Sequence, residues 1–159
     1  MRSIMYQQLA GAAATAIHKR FLGLFAGGLS PRAVLALQDG AMRAVGVSGP
    51  KQAAITDLAA KVEDGTVPLH DAGSLGDDEL VARLVQVRGI GRWTAEMFLM
   101  FQLRRLDVWP VDDYGVRKGW AMAHRLKEPL TPRALQAEGE RFRPYRSVAA
   151  WYCWRMIDG

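Results

Sequence analysis

Short stretches with apolar residues at helical spacing follow one another along the whole chain, and strand patterns are nearly absent. In residues 2–22, for example, apolar side chains recur every three or four positions. Proline and glycine separate such stretches. Ser30-Pro31 and Thr131-Pro132 each combine an N-cap residue with a proline at the first helical position. This pattern predicts an all-α, compact multi-helix fold without a sheet.

The chain length of 159 residues fits a single domain, residues 1–159, and no linker or repeat divides it. Asp77 is predicted to cap a helix that carries Leu80 and Leu84, and Pro144 to open the last helix. No apolar run approaches the roughly 18 residues that a membrane span needs, and the N-terminus lacks the pattern of a secretory signal. We therefore expect a cytoplasmic protein without membrane contacts.

The charge balance favours a polyanionic partner. The chain carries 21 Lys and Arg against 16 Asp and Glu, a net charge of +5, and its pI is near 9.7. Acidic residues gather between Asp57 and Asp78, whereas basic residues dominate from Arg83 onward. This asymmetry indicates that the second half meets nucleic acid, although a solvated basic face has the same composition. The single cysteine, Cys153, excludes an intrachain disulfide and a four-cysteine metal site.

Two glycines two positions apart, Gly89 and Gly91, lie between two helical patterns. They permit a tight turn with positive φ, and the helix that follows at Arg92 directs its positive dipole end into the turn. A helix N-terminus placed in this way binds anions, and a DNA phosphate fits it. An ordinary helix–helix connection is the alternative, because glycine turns are common.

Three segments, in their order along the chain, resemble the helix-hairpin-helix DNA glycosylases. The resemblance is strongest to the DNA-3-methyladenine glycosylase II branch, which removes alkylated bases. The segments are Gly-Ile-Gly-Arg-Trp-Thr-Ala at 89–95, Val-Trp-Pro-Val-Asp-Asp at 108–113 and Arg-Pro-Tyr-Arg-Ser at 143–147, with further matches at 7–9 and 50–53. The resemblance spans essentially the whole chain. It implies an enzyme that flips a damaged base out of double-stranded DNA and hydrolyses its N-glycosidic bond, leaving an abasic site.

The resemblance places the catalytic carboxylate at the second position of an aspartate pair, which is Asp113. Cleavage of the N-glycosidic bond builds positive charge on the sugar, and a fixed anion stabilises that charge. It can also orient or deprotonate a water. From the residues alone, Asp112-Asp113 are an N-cap and a dipole partner of the following helix. That structural role is compatible with catalysis, and no catalytic role is assigned to Asp112.

The helix after the hairpin indicates the type of reaction. In bifunctional members of the superfamily, a lysine in this helix attacks the sugar as an amine nucleophile. The matching position here is Trp93, which has no amine. The resemblance therefore implies a monofunctional glycosylase without lyase activity, in which water is the nucleophile.

The resemblance also implies a pocket for the flipped base, which aromatic rings hold by stacking. Trp93 and Trp154 match pocket positions, with Met97 and Tyr145 as further wall residues. Each aromatic residue has an alternative place in the core. Gln8 matches the wedge that fills the space left by the flipped base. Its alternative is a polar residue on the exposed side of the first helix.

The hairpin motif, residues 80–102, is expected to contact the DNA backbone. The contacts implied by the resemblance lie at Arg88, Gly89, Ile90, Gly91, Arg92 and Thr94. Members of the superfamily often hold a monovalent cation here, which the backbone carbonyls of Val85, Val87 and Ile90 would ligate. No cofactor is otherwise required.

Three further expectations concern the whole protein. Similar proteins carry additional residues before Gln7, so the resemblance implies either a naturally short form or a truncated N-terminus. We expect a monomer that acts on duplex DNA in a bacterial cytoplasm. Two alternatives stay open: a glycosylase for deaminated or oxidised bases, and a non-catalytic helix-hairpin-helix module. The second needs neither Asp113 nor the two tryptophans.

Overall fold

The computed structural model describes residues 4–5 and 11–158. Within these residues the regular secondary structure is helical and contains no strand, which confirms the all-α prediction. The chain forms two compact units, residues 1–92 and 93–159, and the prediction of one domain stays a prediction. Among the helices that the structure describes, none combines the length and apolar content needed to cross a bilayer.

The first unit holds its helices in the order α1 (Gly11–Leu22), α2 (Pro31–Leu35), α3 (Ala41–Ala44), α4 (Gly49–Glu63) and α5 (Asp77–Leu84). Helices α2 and α4 pack against each other. The side chains of Phe21, Ile55 and Leu80 are fully buried. Burial of such side chains from several helices supplies the main favourable free energy of folding.

Local capping signals set where these helices begin, with one correction. Ser30 Oγ accepts the backbone N–H of Ala33 at 3.2 Å, and Pro31 occupies the first turn of α2, as predicted. The N-cap of α5 is Gly76, whereas Asp77 is the first helical residue. The prediction that Asp77 is the cap is therefore wrong by one residue. An acidic side chain suits both positions, because it also interacts favourably with the dipole in the first turn.

The second unit holds α6 (Arg92–Phe101), whose first residue belongs to the first unit, then α7 (Tyr114–Ala123), α8 (Pro132–Gly139), a 3₁₀ turn (Glu140–Phe142) and α9 (Arg146–Asp158). Helix α9 packs along α7. It begins two residues after Pro144, so the prediction that this proline opens it is wrong. The N–H of Tyr145 bonds the carbonyl of Phe142 at 2.6 Å, and this turn comes before the helix.

Cys153 is buried on the face of α9 that packs against α7. An added Cβ at Gly119 of α7 would overlap the backbone carbonyl of Cys153, so the two helix backbones are in direct contact here. Burial raises the pKa of the Cys153 thiol to about 11. The thiol is therefore protonated at neutral pH and acts as a core side chain.

Two buried side chains anchor the loop that leads into α7. The indole N–H of Trp109 donates to the carbonyl of Leu135 at 2.8 Å, and its ring packs edge-to-face on Trp120 with centroids 6.0 Å apart. Ser147 Oγ accepts the N–H of Val108 at 2.9 Å and donates to the carbonyl of Arg105 at 2.7 Å. These bonds hold residues 105–109 of the loop that leads into α7.

Candidate active site

Asp113 stands at the N-terminus of α7. It is the N-cap residue, and its Oδ1 accepts the backbone N–H of Val116 at 2.7 Å. The expectation that one aspartate of the pair caps this helix is confirmed, and the capping residue is Asp113. The carboxylate therefore lies at the positive end of a helix dipole, where a negative charge is stabilised. The neighbouring Asp112 is exposed.

Two tryptophans donate to the same carboxylate. The Nε1–H of Trp93 donates to Asp113 Oδ2 at 2.5 Å, and the Nε1–H of Trp154 donates to Asp113 Oδ1 at 2.9 Å. Both carboxylate oxygens thus accept side-chain hydrogen bonds, from α6 and from α9. Hydrogen bonds to an ionised acceptor are stronger than neutral ones. The group is half-buried, so it is held in one orientation while part of it stays accessible.

One face of α6 extends this cluster. Trp93 is 46% exposed, and Met97, one turn further along, is half-buried. Phe101, another turn along, stacks on Trp154 with centroids 6.0 Å apart and an interplanar angle of 26°. Sequence reasoning did not include Phe101. The four-residue spacing of positions 93, 97 and 101 was the available signal, because such residues share a helix face.

The structure places Tyr145 elsewhere in the second unit. It is 57% exposed and lines a cavity of about 560 Å³ whose wall includes Trp120, Tyr152 and Met156. Tyr152 and Met156 each lie two positions from Trp154 along α9, and residues at that spacing point to different sides of a helix. Tyr145 is therefore separated from the cluster around Asp113.

The hairpin in the first unit follows α5. Gly89 has φ of +75°, the conformation predicted for the turn, and the N–H of Ile90 bonds the carbonyl of Val87 at 3.0 Å. The next helix begins at Arg92, also as predicted. The side chain of Arg88, like that of Arg92, is exposed. Of the two glycines, Gly89 thus adopts the positive φ that glycine readily permits.

A carboxylate from another helix fixes the hairpin backbone. Asp57 Oδ2, on α4, accepts the N–H of Arg88 at 2.7 Å, and Lys61 Nζ bonds Asp57 Oδ1 at 2.5 Å. The hydrogen bond from Lys61, followed by the one from the Arg88 backbone, holds the pKa of Asp57 below its ordinary value. Sequence reasoning missed Asp57, because nothing local to it points to residue 88.

The remaining residues that were predicted to contact DNA differ in their exposure. Gly91 is exposed and Thr94 is half-buried, whereas Gln8, the predicted wedge, lies outside the described residues. Within the described part of the chain, no group of three or more His, Cys, Asp or Glu side chains is placed to hold a metal ion.

A family model described as HhH-GPD superfamily base excision DNA repair protein matches residues 1–144. Among curated proteins, DNA-3-methyladenine glycosylase 1 of Schizosaccharomyces pombe is 37% identical over 158 residues. The match covers 98% of this chain and 69% of that relative.

Two solved structures are similar along nearly all of the chain. The 3-methyladenine DNA glycosylase of Schizosaccharomyces pombe in complex with abasic DNA has a TM-score of 0.80 at 38% identity, covering 97% of this chain and 76% of that one. The DNA-3-methyladenine glycosidase of Bacillus halodurans has a TM-score of 0.89 at 35% identity, covering 97% and 71%.

Proposed function

The chain belongs to the HhH-GPD superfamily of base excision DNA repair proteins, and we propose that within it the chain is a monofunctional DNA glycosylase that removes alkylated bases from duplex DNA. The observation that carries this proposal is the carboxylate of Asp113, held at a helix N-terminus by Val116, Trp93 and Trp154. The relatives at 35–38% identity described above are named as 3-methyladenine glycosylases or glycosidases, and these names support alkylated bases as the substrate class.

The chemistry follows from the charge of Asp113. As the bond between base and sugar breaks, positive charge develops on the sugar, and a preorganised carboxylate stabilises that charge without having to reorient. The same group orients a water for attack on the sugar and accepts its proton. The products are the free base and an abasic site.

Trp93 supports water as the nucleophile. Its side chain occupies the start of α6, where a lysine would be needed for attack on the sugar, and its indole N–H is bonded to Asp113. An indole cannot form a Schiff base. The proposed enzyme therefore leaves the DNA strand intact.

The proposed base pocket includes Trp93, Trp154 and Met97. Trp93 is exposed enough to offer a ring face to an extruded base. A cationic alkylated base is attracted to the face of an electron-rich ring, and this attraction strengthens binding. The position of Tyr145 on a separate cavity gives its predicted pocket role no support.

We propose that the hairpin and the N-terminus of α6 bind the DNA backbone. Exposed Arg88 and Arg92 supply positive charge, and the first turn of α6 directs its dipole toward an anion. Gly89, Ile90, Gly91 and Thr94 keep their proposed contacts. Gln8 keeps its proposed role as the wedge on the resemblance alone.

We propose that the backbone carbonyls of Val85, Val87 and Ile90 ligate a monovalent cation. Val85 directly follows α5, where helix carbonyls lack intrahelical partners and the dipole is negative. Val87 O accepts one N–H, and a carbonyl has two lone pairs. Together with the carbonyl oxygen of Ile90, these carbonyl oxygens would ligate a cation that stabilises the hairpin where it binds a phosphate.

A panel of duplexes, each with one lesion, tests the proposed function by the yield of abasic sites. We expect excision of alkylated bases by a monomer that works on DNA in the cytoplasm. Preferential excision of uracil, hypoxanthine or an oxidised purine would favour the alternative lesion class. Binding without excision of any lesion would favour a non-catalytic module.

A further inference from the structure

Gly115, the second residue of α7, faces the hydrogen bond between Asp113 and Trp154. A Cβ built on Gly115 would lie 2.9 Å from Asp113 Oδ1, 2.9 Å from Trp154 Cδ1 and 3.0 Å from Trp154 Nε1. These distances are shorter than ordinary van der Waals contact. The space that a side chain would need at position 115 is therefore occupied by the donor and the acceptor of this bond.

A second glycine, one turn further along α7, lies against the same helix. A Cβ on Gly119 would overlap the backbone carbonyl of Cys153, the residue that precedes Trp154. Residues four apart lie on one face of a helix, so Gly115 and Gly119 together form the surface on which α9 rests. Glycine weakens a helix relative to alanine, and here that weakness allows α9 to approach closely.

The approach of α9 completes the set of donors around one carboxylate. Val116 N–H and Trp154 Nε1–H bond Oδ1, and Trp93 Nε1–H bonds Oδ2. With donors on both oxygens, the carboxylate plane cannot rotate without breaking a hydrogen bond. If the Trp154 donor were lost, Oδ1 would keep only the backbone bond that any N-cap aspartate makes.

We propose that Gly115 and Trp154 are positioning residues for Asp113: the missing side chain at 115 lets the Trp154 indole N–H reach the carboxylate and fix its orientation toward the sugar. This inference rests on the function proposed above. It assigns Trp154 a role through its N–H that is separate from stacking on a base, which would use its ring face.

Replacing Trp154 by benzothienylalanine separates the two roles, because this side chain keeps the shape and stacking area of the indole but has no N–H. With the lesion that the unsubstituted protein excises fastest, we expect the single-turnover rate at saturating enzyme to fall about ten- to a hundredfold, as for a slightly misplaced catalytic group. Duplex affinity should stay unchanged, and the unfolding temperature should fall only slightly, as for the loss of one hydrogen bond.

Gly115→Ala tests independently whether the absence of a side chain at position 115 is required. Alanine favours the helix, but its Cβ would displace Trp154 or the carboxylate, so the excision rate should fall by a similar factor. Gly49→Ala, in the first turn of α4, is the matched control, because a Cβ at Gly49 would meet only the far end of the Arg43 side chain, at 3.9 Å. This control should keep both rate and stability. If Gly115→Ala does not fold, the benzothienylalanine protein still decides the question.

The outcomes separate this inference from the proposed function. If the unsubstituted protein excises no lesion, the function fails and the inference with it. If it excises and Asp113→Asn does not, but benzothienylalanine at position 154 keeps the full rate, only the positioning role is overturned. A rate loss accompanied by a matching loss of duplex affinity, or by unfolding at the assay temperature, would also overturn it, because a purely structural role predicts that pattern.

Discussion

The carboxylate of Asp57 accepts the backbone N–H of Arg88 at 2.7 Å, across 31 residues of sequence. Lys61, one turn further along α4, bonds the same carboxylate. The hairpin backbone is therefore hydrogen-bonded to a helix that lies outside the glycine motif. The proposed phosphate-binding turn is thus preorganised by a side chain outside the motif.

Asp57→Asn should weaken duplex binding and lower stability by about 0.5–1 kcal/mol at neutral pH, as expected for loss of a half-buried ion pair near the surface and a charge-assisted hydrogen bond. The folded-state pKa of Asp57 lies below its ordinary value. Its ionised form therefore stabilises the fold above the unfolded pKa, and this contribution is lost as the pH falls through the folded pKa.

Thermal unfolding of both proteins as a function of pH checks this sign. The difference between parent and Asp57→Asn should persist down to about pH 4 and shrink below it. A difference that grows on acidification would contradict the assignment of Asp57 as an ionised partner of Lys61 and Arg88.

Asp113→Asn should lower the single-turnover excision rate about 100- to 1,000-fold, because it removes the charge that faces the developing sugar cation. Asparagine still caps a helix, but its amide NH₂ would meet an indole N–H, so we expect a stability loss of about 1 kcal/mol. Duplex binding should persist, since a negative charge near phosphates has gone.

The matched control for this variant is Asp112→Asn, at the exposed neighbour, which should stay active. Loss of activity in Asp112→Asn with retention in Asp113→Asn would reverse the assignment within the pair. Full rates in both variants would remove the catalytic hypothesis.

Lesion-containing duplex should remain unbroken after excision until alkali or an abasic-site nuclease is added, because Trp93 has no amine with which to form a Schiff base. Gel electrophoresis of the damaged strand measures this directly. Covalent trapping of the protein on DNA by borohydride would show that an amine elsewhere attacks the sugar.

Duplex affinity should fall steeply with salt. With about three to five phosphate contacts, log affinity is expected to fall about three to five units per decade of salt concentration. Arg88→Ala should lower that slope by about one. Fluorescence anisotropy over a salt series checks both values, and a flat dependence in the parent would refute backbone binding by the hairpin.

Features encoded within a few residues could be predicted from the sequence. The helix starts after Ser30 and Thr131 follow from side chains that reach the backbone three residues ahead, and the turn at Gly89 follows from its freedom to adopt positive φ. The prediction that one aspartate of the pair at 112–113 caps α7 is equally local, and the structure identifies it as Asp113. Such signals need no knowledge of which helices pack together.

Errors of a residue or two arose where local signals compete. Asp77 has the side chain of an N-cap and also that of a first-turn residue, and the backbone at Gly76 decides between them. Pro144 suits a helix start, but the turn closed between Phe142 and Tyr145 delays α9 to Arg146. Sequence spacing alone does not decide which of two neighbouring residues begins a helix.

The sequence by itself determined that the chain is helical, where its hairpin turns and that one aspartate of the pair at 112–113 caps α7, because these features depend on neighbours along the chain. Only the tertiary structure decided what surrounds Asp113. Its indole donors come from positions 20 and 41 residues away, and Tyr145 lines a cavity together with Trp120 and Tyr152. Helical periodicity shows which face of a helix is apolar, but the partner of that face and the distance of approach depend on packing between helices.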